Sequence, residues 1–211
     1  GQGYLWNIDT GTVLSTYEHE TSIVSAGFAN DGQFLITGGG TEDLGELVVW
    51  DTSTGDAIHR LNHHKYLVMD IAINDAQNIA ITAGGNDNTI IFWDTQSWQP
   101  IEIITYEHRI RSVSLSQDGS LAVVGGGAFL YILDTATREI LDLVELNDII
   151  VDFDLIDDNT ILLLGNNTIA HLILDTQELI YDSNVLIGSW MHIDTNAPKE
   201  IGVLGIQDQV V

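Results

Sequence analysis

Apolar residues run along this chain in short stretches cut by clusters of Gly, Asn, Asp, Ser and Thr. One stretch, Leu47-Val48-Val49, closes on Trp50-Asp51-Thr52. The same ending returns at Asn7-Ile8-Asp9-Thr10, Phe92-Trp93-Asp94-Thr95, Ile132-Leu133-Asp134-Thr135 and Ile173-Leu174-Asp175-Thr176. The five aspartates lie 42, 43, 40 and 41 residues apart. A fixed period near 40 residues is the signature of a repeat array.

Each interval divides into four apolar runs, which predicts four short strands per repeat. The first set is Ile23–Ala29, Phe34–Thr37, Glu46–Trp50 and Asp56–Leu61. The second is Leu67–Asn74, Ile79–Thr82, Thr89–Trp93 and Ile101–Thr105. The third is Ile110–Ser116, Leu121–Val124, Phe129–Leu133 and Glu139–Val144, and the fourth Ile149–Leu155, Thr160–Leu164, Ile169–Leu174 and Glu178–Tyr181. Asn30-Asp31-Gly32, Gly38-Gly39-Gly40 and Thr52-Ser53-Thr54-Gly55 supply turns, because these residues accept positive φ or bond their own backbone. Val, Ile and Leu crowd both faces of the runs, as expected for sheets packed on either side. Helical spacing fits poorly, so almost no helix is predicted.

The repeat pattern resembles the WD-repeat β-propeller family over the whole chain. That family places a histidine before the first strand, Asp-Gly after it, Ser or Thr in the second strand and Trp-Asp at the end of the third. His19, Asp31-Gly32, Thr37 and Trp50-Asp51 occupy those places in order. His64, Thr82 and Trp93-Asp94 repeat the set, with Ala76-Gln77 in place of Asp-Gly and Asp75 displaced by one. The third repeat keeps His108 and Asp118-Gly119 but has Val124 and Leu133 for Thr and Trp; the fourth keeps little beyond Asp158 and Asp175, with Asn147 near the histidine's place. The resemblance implies a buried hydrogen-bonded chain of His19, Thr37, Trp50 and Asp31, repeated at His64, Thr82 and Trp93. Such a chain satisfies polar groups that would each cost about 1–3 kcal/mol if buried unpaired.

The expected fold is therefore all-β: a propeller of four-stranded antiparallel blades, four repeats complete, forming one domain over residues 1–211. Half blades stand at both ends. Tyr4–Ile8 and Val13–Tyr17 read as third and fourth strands, Leu186–Ile193 and Ile201–Ile206 as first and second, and Val210-Val211 as the start of a third. Ile193-Asp194-Thr195 reads as a turn between strands. The chain starts without methionine and stops in mid-strand, so a piece of a larger propeller is expected, a closed five-bladed ring being the alternative.

Charge narrows the partners. Asp and Glu number 31 against six Lys and Arg, a formal net charge of −25. Nucleic acid and anionic membranes need a basic footprint, so neither is expected. A protein partner, a basic one by preference, suits the charge; the excess also keeps a chain soluble. With no cysteine, disulfides and thiolate chemistry are excluded, and no compartment is selected.

No nucleophile elbow, zinc-binding His pair or phosphate loop followed by a helix is present. Aligned first strands put Ser25, Asp70, Ser112 and Asp152 in one register, and Gly27, Ala72, Ser114 and Asp154 in another two residues on. Around a central channel Asp70, Asp152 and Asp154 would bind a cation such as calcium or a partner's Lys or Arg; solvation, or bonding to a neighbouring blade, is the alternative. Glu18, Glu20, Glu42, Asp43, Asp87 and Glu107 are expected on the face of the histidine-bearing loops, as a partner surface or a solvated rim. Asn166-Asn167-Thr168 is a glycosylation sequon. By analogy with the family the expected function is a non-catalytic protein–protein interaction scaffold with no cofactor and an open oligomeric state. The alternative is a metal-dependent enzyme or ligand-binding propeller with an acidic site in the channel.

Overall fold

The computed structural model describes residues 1–165, 168–182, 191–196 and 200–205, with side chains up to residue 181. The chain divides into two units, Gly1–Ile110 and Arg111–Val211. All regular structure among the described residues is β-strand. The sequon asparagines, the Leu186 end of the expected strand Leu186–Ile193 and Val210-Val211 lie outside the described residues.

The first unit opens with a two-stranded ladder of β1 (Gln2–Asn7) and β2 (Thr12–Glu18). A four-stranded antiparallel sheet follows in sequence order: β3 (Ser22–Ala29), β4 (Phe34–Gly40), β5 (Gly45–Asp51) and β6 (Ala57–Leu61). A second has the same order: β7 (Asp70–Asn74), β8 (Ile79–Ala83), β9 (Thr89–Asp94) and β10 (Gln99–Thr105). The two sheets share one core, in which Ile71 and Ile73 of β7 pack among Ala29, Ile36, Val49, Ile91 and Trp93. Apolar residues on both sheet faces find partners this way, one face on each neighbouring sheet. Gly27 lets the inner strands approach, since a Cβ there would lie 3.0 Å from Ile73 Cδ1.

In the second unit the strands are longer than the sequence suggests. β11 (Ser112–Leu115) pairs with β12 (Leu121–Asp134), β12 with β13 (Ile140–Asp157), and β14 (Thr160–Gly165), β15 (Ile169–Ile173) and β16 (Glu178–Asp182) complete the sheet. β12 covers two expected strands and still doubles back on itself: Thr135 N donates to Ser120 O at 3.0 Å, and a Cβ on Gly125 would collide with the Phe129 carbonyl. β13 runs through the expected break because residues 140–157 contain no Gly or Pro to interrupt extended backbone. Gly127 pairs with Ile150, which joins the third and fourth blades into one sheet. β17 (Met191–Asn196) and β18 (Glu200–Gly205) form a separate ladder. Ile193-Asp194-Thr195, expected as a turn, lies inside β17.

The repeat beat also moves. Third strands end at Asn7, Asp51, Asp94, Asp134 and Ile173, so the spacing falls from 44 to 39 residues along the chain. At each of the first four, the backbone N–H four residues on donates to the strand-end carbonyl: Gly11 to Asn7, Gly55 to Asp51, Trp98 to Asp94 and Arg138 to Asp134. The donor, and Gln177 at the equivalent place, has positive φ. The side-chain oxygen of the strand-end residue caps the turn. Asp51 Oδ1 accepts from Ser53 N, Ser53 Oγ and Thr54 N; Asp94 and Asp134 do the same, and Asn7 Oδ1 accepts from Thr10 N. These bonds to the ionised form hold the Asp51, Asp94 and Asp134 carboxyls below their ordinary pKa. The beats assigned to Asp9 and Asp175 therefore belong to Asn7 and Ile173. The Asp-Thr text recurs there two residues past the strand end, where it cannot make the cap.

The threonine after the cap gives a test. Thr52 Oγ1 donates to Gly32 O and Thr135 Oγ1 to Gly119 O, while the equivalent Thr95 Oγ1 is buried without a partner. Thr135→Val should cost about 1 kcal/mol in chemical denaturation, whereas Thr95→Val should leave stability level or raised. Equal losses at both sites would show that the hydroxyl bond is not what separates them.

Candidate functional site

Burial of a tryptophan at the end of a third strand creates a local problem: the indole N–H must find an acceptor inside the core. Trp50 Nε1 donates to Thr37 Oγ1 at 2.7 Å, and Thr37 Oγ1 lies 2.7 Å from His19 Nε2. The hydroxyl accepts the indole N–H hydrogen bond, and where a carboxylate beside Nδ1 holds the imidazole proton there, it donates its own hydrogen to Nε2. Trp93, Thr82 and His64 repeat the chain at 2.9 and 2.8 Å. The threonines sit on second strands opposite Val48 and Ile91, so the sheet register sets the reach.

The carboxylate that completes each chain is not Asp31. Asp31 is exposed, with φ 52°, and its N–H donates to Asp75 of the next blade. A turn at the far end of the first strand cannot reach the histidine. Glu46 takes the role in the first blade: His19 Nδ1 stands 3.0 Å from Glu46 Oε2, close enough for electrostatic attraction although not aligned as a hydrogen bond. Glu46 is buried and also accepts from Thr21 Oγ1 and from Arg60 Nη1, each at 2.8 Å. Arg60 lies over the Trp50 ring at 5.4 Å, which closes the circuit. In the second blade Asp87, expected on the rim, is drawn in instead: its Oδ2 lies 3.0 Å from His64 Nδ1 and its Oδ1 accepts from Thr89 Oγ1 at 2.7 Å. Gly84 makes room, because a Cβ there would collide with His64 Nδ1 and Asp87. A sequence signal for both acids existed, a carboxylate in the hairpin leading into the tryptophan strand.

Electrostatics follow from this packing. Burial is the largest influence on His19 and lowers its pKa below 6.5; Glu46 opposes the shift and Arg60 reinforces it. Burial pushes Glu46 up, but the Thr21 hydrogen bond, His19 and Arg60 outweigh it and hold the carboxyl below 4.5. For Asp87 burial is again outweighed, by bonds from His64 and Thr89, and the carboxyl lies below 3.8.

The later blades lack the circuit. Leu163 stands where Thr37 and Thr82 do, Ala170 where Val48 and Ile91 do, and Leu172 where the tryptophans do. The smaller side chains leave a cavity lined by Leu146, Asp148, Leu163, Thr168, Ala170 and Tyr181, with room for about one water molecule. The first-strand acids also have other roles than expected. Asp152 Oδ1 accepts from Ser112 Oγ and Asp154 Oδ1 from Ser114 Oγ, both at 2.5 Å, and Ser114 Oγ accepts from Leu155 N. These bonds staple the fourth blade's inner strand to the third's. Asp70 Oδ1 accepts from the adjacent Ile71 N. Among the described residues no group of three or more His, Asp or Glu side chains is gathered as a metal site would require. Glu18, Glu20, Glu42, Asp43 and Glu107 are all exposed.

The family model "WD domain, G-beta repeat" matches residues 11–51 and 55–94, the two blades that carry the tryptophan circuit. Among curated proteins, eukaryotic translation initiation factor 3 subunit I of Nematostella vectensis is 30% identical over 127 residues, covering 59% of this chain and 38% of that protein. The Bombyx mori protein of the same name is 26% identical over 57% of this chain and 36% of its own length. Serine-threonine kinase receptor-associated protein of Dictyostelium discoideum is 21% identical over 63% of this chain and 58% of its length. The chain thus spans between about a third and three fifths of these relatives.

Two outcomes check the circuit. His19 has a folded pKa below its unfolded value, so its contribution is complete above pH 6.5 and is lost as pH falls through the folded pKa; Glu46 and Asp87 add losses of the same sign below 4.5 and 3.8. Urea midpoints should therefore fall on acidification from pH 7, and His19→Gln should remove the step that begins near 6.5. Packing gives the second outcome. Trp50→Ala should cost about 3–5 kcal/mol and Leu133→Ala about 2–5 kcal/mol, while Ala170→Val, filling the fourth-blade cavity, should gain about 0.5–1 kcal/mol in urea denaturation.

Proposed function

We propose that this chain, whose residues 11–51 and 55–94 match the WD-repeat family model, is a non-catalytic protein–protein interaction scaffold with an acidic surface for basic partners. The observation that carries the reading is the contrast between loop and anchor. Exposed Glu18, at the end of β2, and Glu20, Glu42, Asp43 and Glu107, in segments between strands, belong to the unit in which His19, Glu46 and His64 are buried in bonded circuits. Rigid anchoring limits the entropy lost when such loops meet a partner, which is the condition for efficient docking. The names of the relatives support the reading, one being a subunit of an initiation factor and another a receptor-associated protein. With six basic residues against 31 acidic ones, the long-range field attracts cations from any direction, and the loops decide where they dock.

A lysine-rich peptide serves as the probe. Its binding should weaken steeply with salt, since exposed charges are screened within about 10 Å at 0.1 M. Reversing Glu18, Glu20 and Glu107 together to Lys should lower the association rate more than it raises dissociation. The same number of reversals at Asp56, Glu102 and Glu139, exposed elsewhere, should do much less. Equal effects from both sets would reduce the surface to bulk charge and remove the docking face.

A further inference from the structure

Asp31, left out of the buried circuit, stands beside Gly32 in the turn between β3 and β4. Among the described residues neither the Asp31 carboxylate nor the Gly32 N–H has a hydrogen-bond partner. The turn is anchored on both sides of the peptide bond that joins them. Upstream, Asn30 N and Asp31 N donate to the two carboxylate oxygens of Asp75 at 2.8 and 3.1 Å. Downstream, Gly32 O accepts from Thr52 Oγ1 at 2.7 Å and Gln33 O from Thr52 N at 3.0 Å. Asp118-Gly119, the other Asp-Gly pair of the chain, is tied where the first pair is loose. Asp118 Oδ1 accepts from Ser120 N, Ser120 Oγ and Ser116 Oγ, and Gly119 N donates to Ser116 O at 2.9 Å. Bonds to the ionised form, that from Ser120 N first, hold the Asp118 carboxyl below its ordinary pKa.

We propose that Asp31-Gly32 is a site of spontaneous isoaspartate formation, and that the modification loosens the tie between the first two blades. Gly32 N attacks Cγ of the neutral Asp31 carboxyl. The amide proton and the carboxyl O–H leave as water, and a five-membered succinimide closes. Water then opens the ring. Opening at Cγ restores aspartate, whereas opening at the former backbone carbonyl sends the main chain through Cβ and Cγ and leaves a free carboxylate on Cα. One water leaves and one enters, so no other reagent is needed. Glycine favours the attack, because no Cβ hinders its nitrogen and its backbone rearranges freely from φ 82°. In the product one more backbone atom separates the residues held by Asp75 from those held by Thr52. The new carboxylate also lies next to the Asp31 N–H, where it repels the Asp75 carboxylate bonded there. Length and charge thus act together against the bonds that join the β3–β4 turn to the next blade.

The test stores the 211-residue chain warm at about pH 6 in water enriched in heavy oxygen, then maps it by mass spectrometry after digestion in ordinary water. Each passage through the succinimide leaves one heavy oxygen behind. Label should enter Asp31 at least roughly tenfold faster than Asp118, whose bonds must break before it reacts. Electron-transfer fragmentation should show part of the labelled Asp31 as isoaspartate. Asp31→Glu, which would need a six-membered ring, should stay unlabelled; should it fold poorly, the Asp118 comparison within the unaltered chain decides. In isomerised chains the Asn30 amide should exchange with solvent roughly tenfold faster than in fresh chains, as the loss of about one hydrogen bond requires. Equal labelling of the two aspartates, or none at Asp31, overturns the site. An Asn30 amide as protected after isomerisation as before overturns the loosening.

Discussion

One hydroxyl group sets the geometry of each of the first two blades. Thr37 Oγ1 accepts the Trp50 indole N–H and is hydrogen-bonded to His19 Nε2, and Thr82 stands in the same way between Trp93 and His64. A hydroxyl can do both only if the second strand, the third strand and the loop before the first are all in register. An error of one residue in the second strand would turn the threonine to the other face and leave an indole and an imidazole buried without partners. The chain of bonds is thus less a source of net stability than a penalty against misregister. Hydrophobic burial drives the sheets together, and the hydroxyl selects which packing is kept.

The acid at the end of the chain shows how the same demand is met in two ways. Asp87 is short, lies in the hairpin itself and is steadied by Thr89 from its own strand. Glu46 is longer and already within the third strand, so it reaches His19 and has an oxygen left over. Arg60, one of only six basic residues, is spent on that oxygen and on the face of Trp50. In a chain with so few cations, a buried carboxylate needs either hydroxyl and amide donors or one scarce arginine. The first blade uses Arg60 and Thr21; the second uses Thr89 and the Lys65 backbone N–H.

Strand content was legible because Gly, Asn and Asp punctuate the apolar runs wherever a turn needs positive φ, as at Asn30, Asp31 and Gly32. Where glycine and proline are missing the reading failed: Ile140–Asp157 has neither, Asn147-Asp148 does not break it, and it stays extended across two blades. The outer beats failed for a different reason. Asp9-Thr10 and Asp175-Thr176 copy the text of the cap, but the cap depends on an oxygen at the last strand residue, and register decides which residue that is. The histidine, threonine and tryptophan positions could be read because their spacing is local to the repeat. Asp31 could not be told from Glu46 and Asp87, since all three are turn or hairpin carboxylates and only distance separates them. Register among first strands was visible, but not that Ser112 and Ser114 would be the partners of Asp152 and Asp154, because that pairing joins two blades.

The contrast between early and late blades is an exchange of specificity for simplicity. Replacing the indole, hydroxyl and imidazole by Leu172, Leu163 and Leu146 removes every obligation to pair, and no buried group is orphaned by a small shift. Aliphatic side chains fit only by shape, however, and the place of Val48 and Ile91 falls to Ala170, so the packing closes less completely and a cavity remains. What fixes register in the fourth blade must then come from elsewhere. The serine–aspartate staples supply it: Ser112 and Ser114, two residues apart on β11, engage Asp152 and Asp154, two residues apart on β13, and a slip by one residue would break both. Bonds between blades are present in both units, as Asp31 to Asp75 and Ser112 to Asp152 show, but in the second unit they stand without the tryptophan circuit. In each arrangement a few directional bonds, carried on a larger apolar surface, determine which of many similar packings persists.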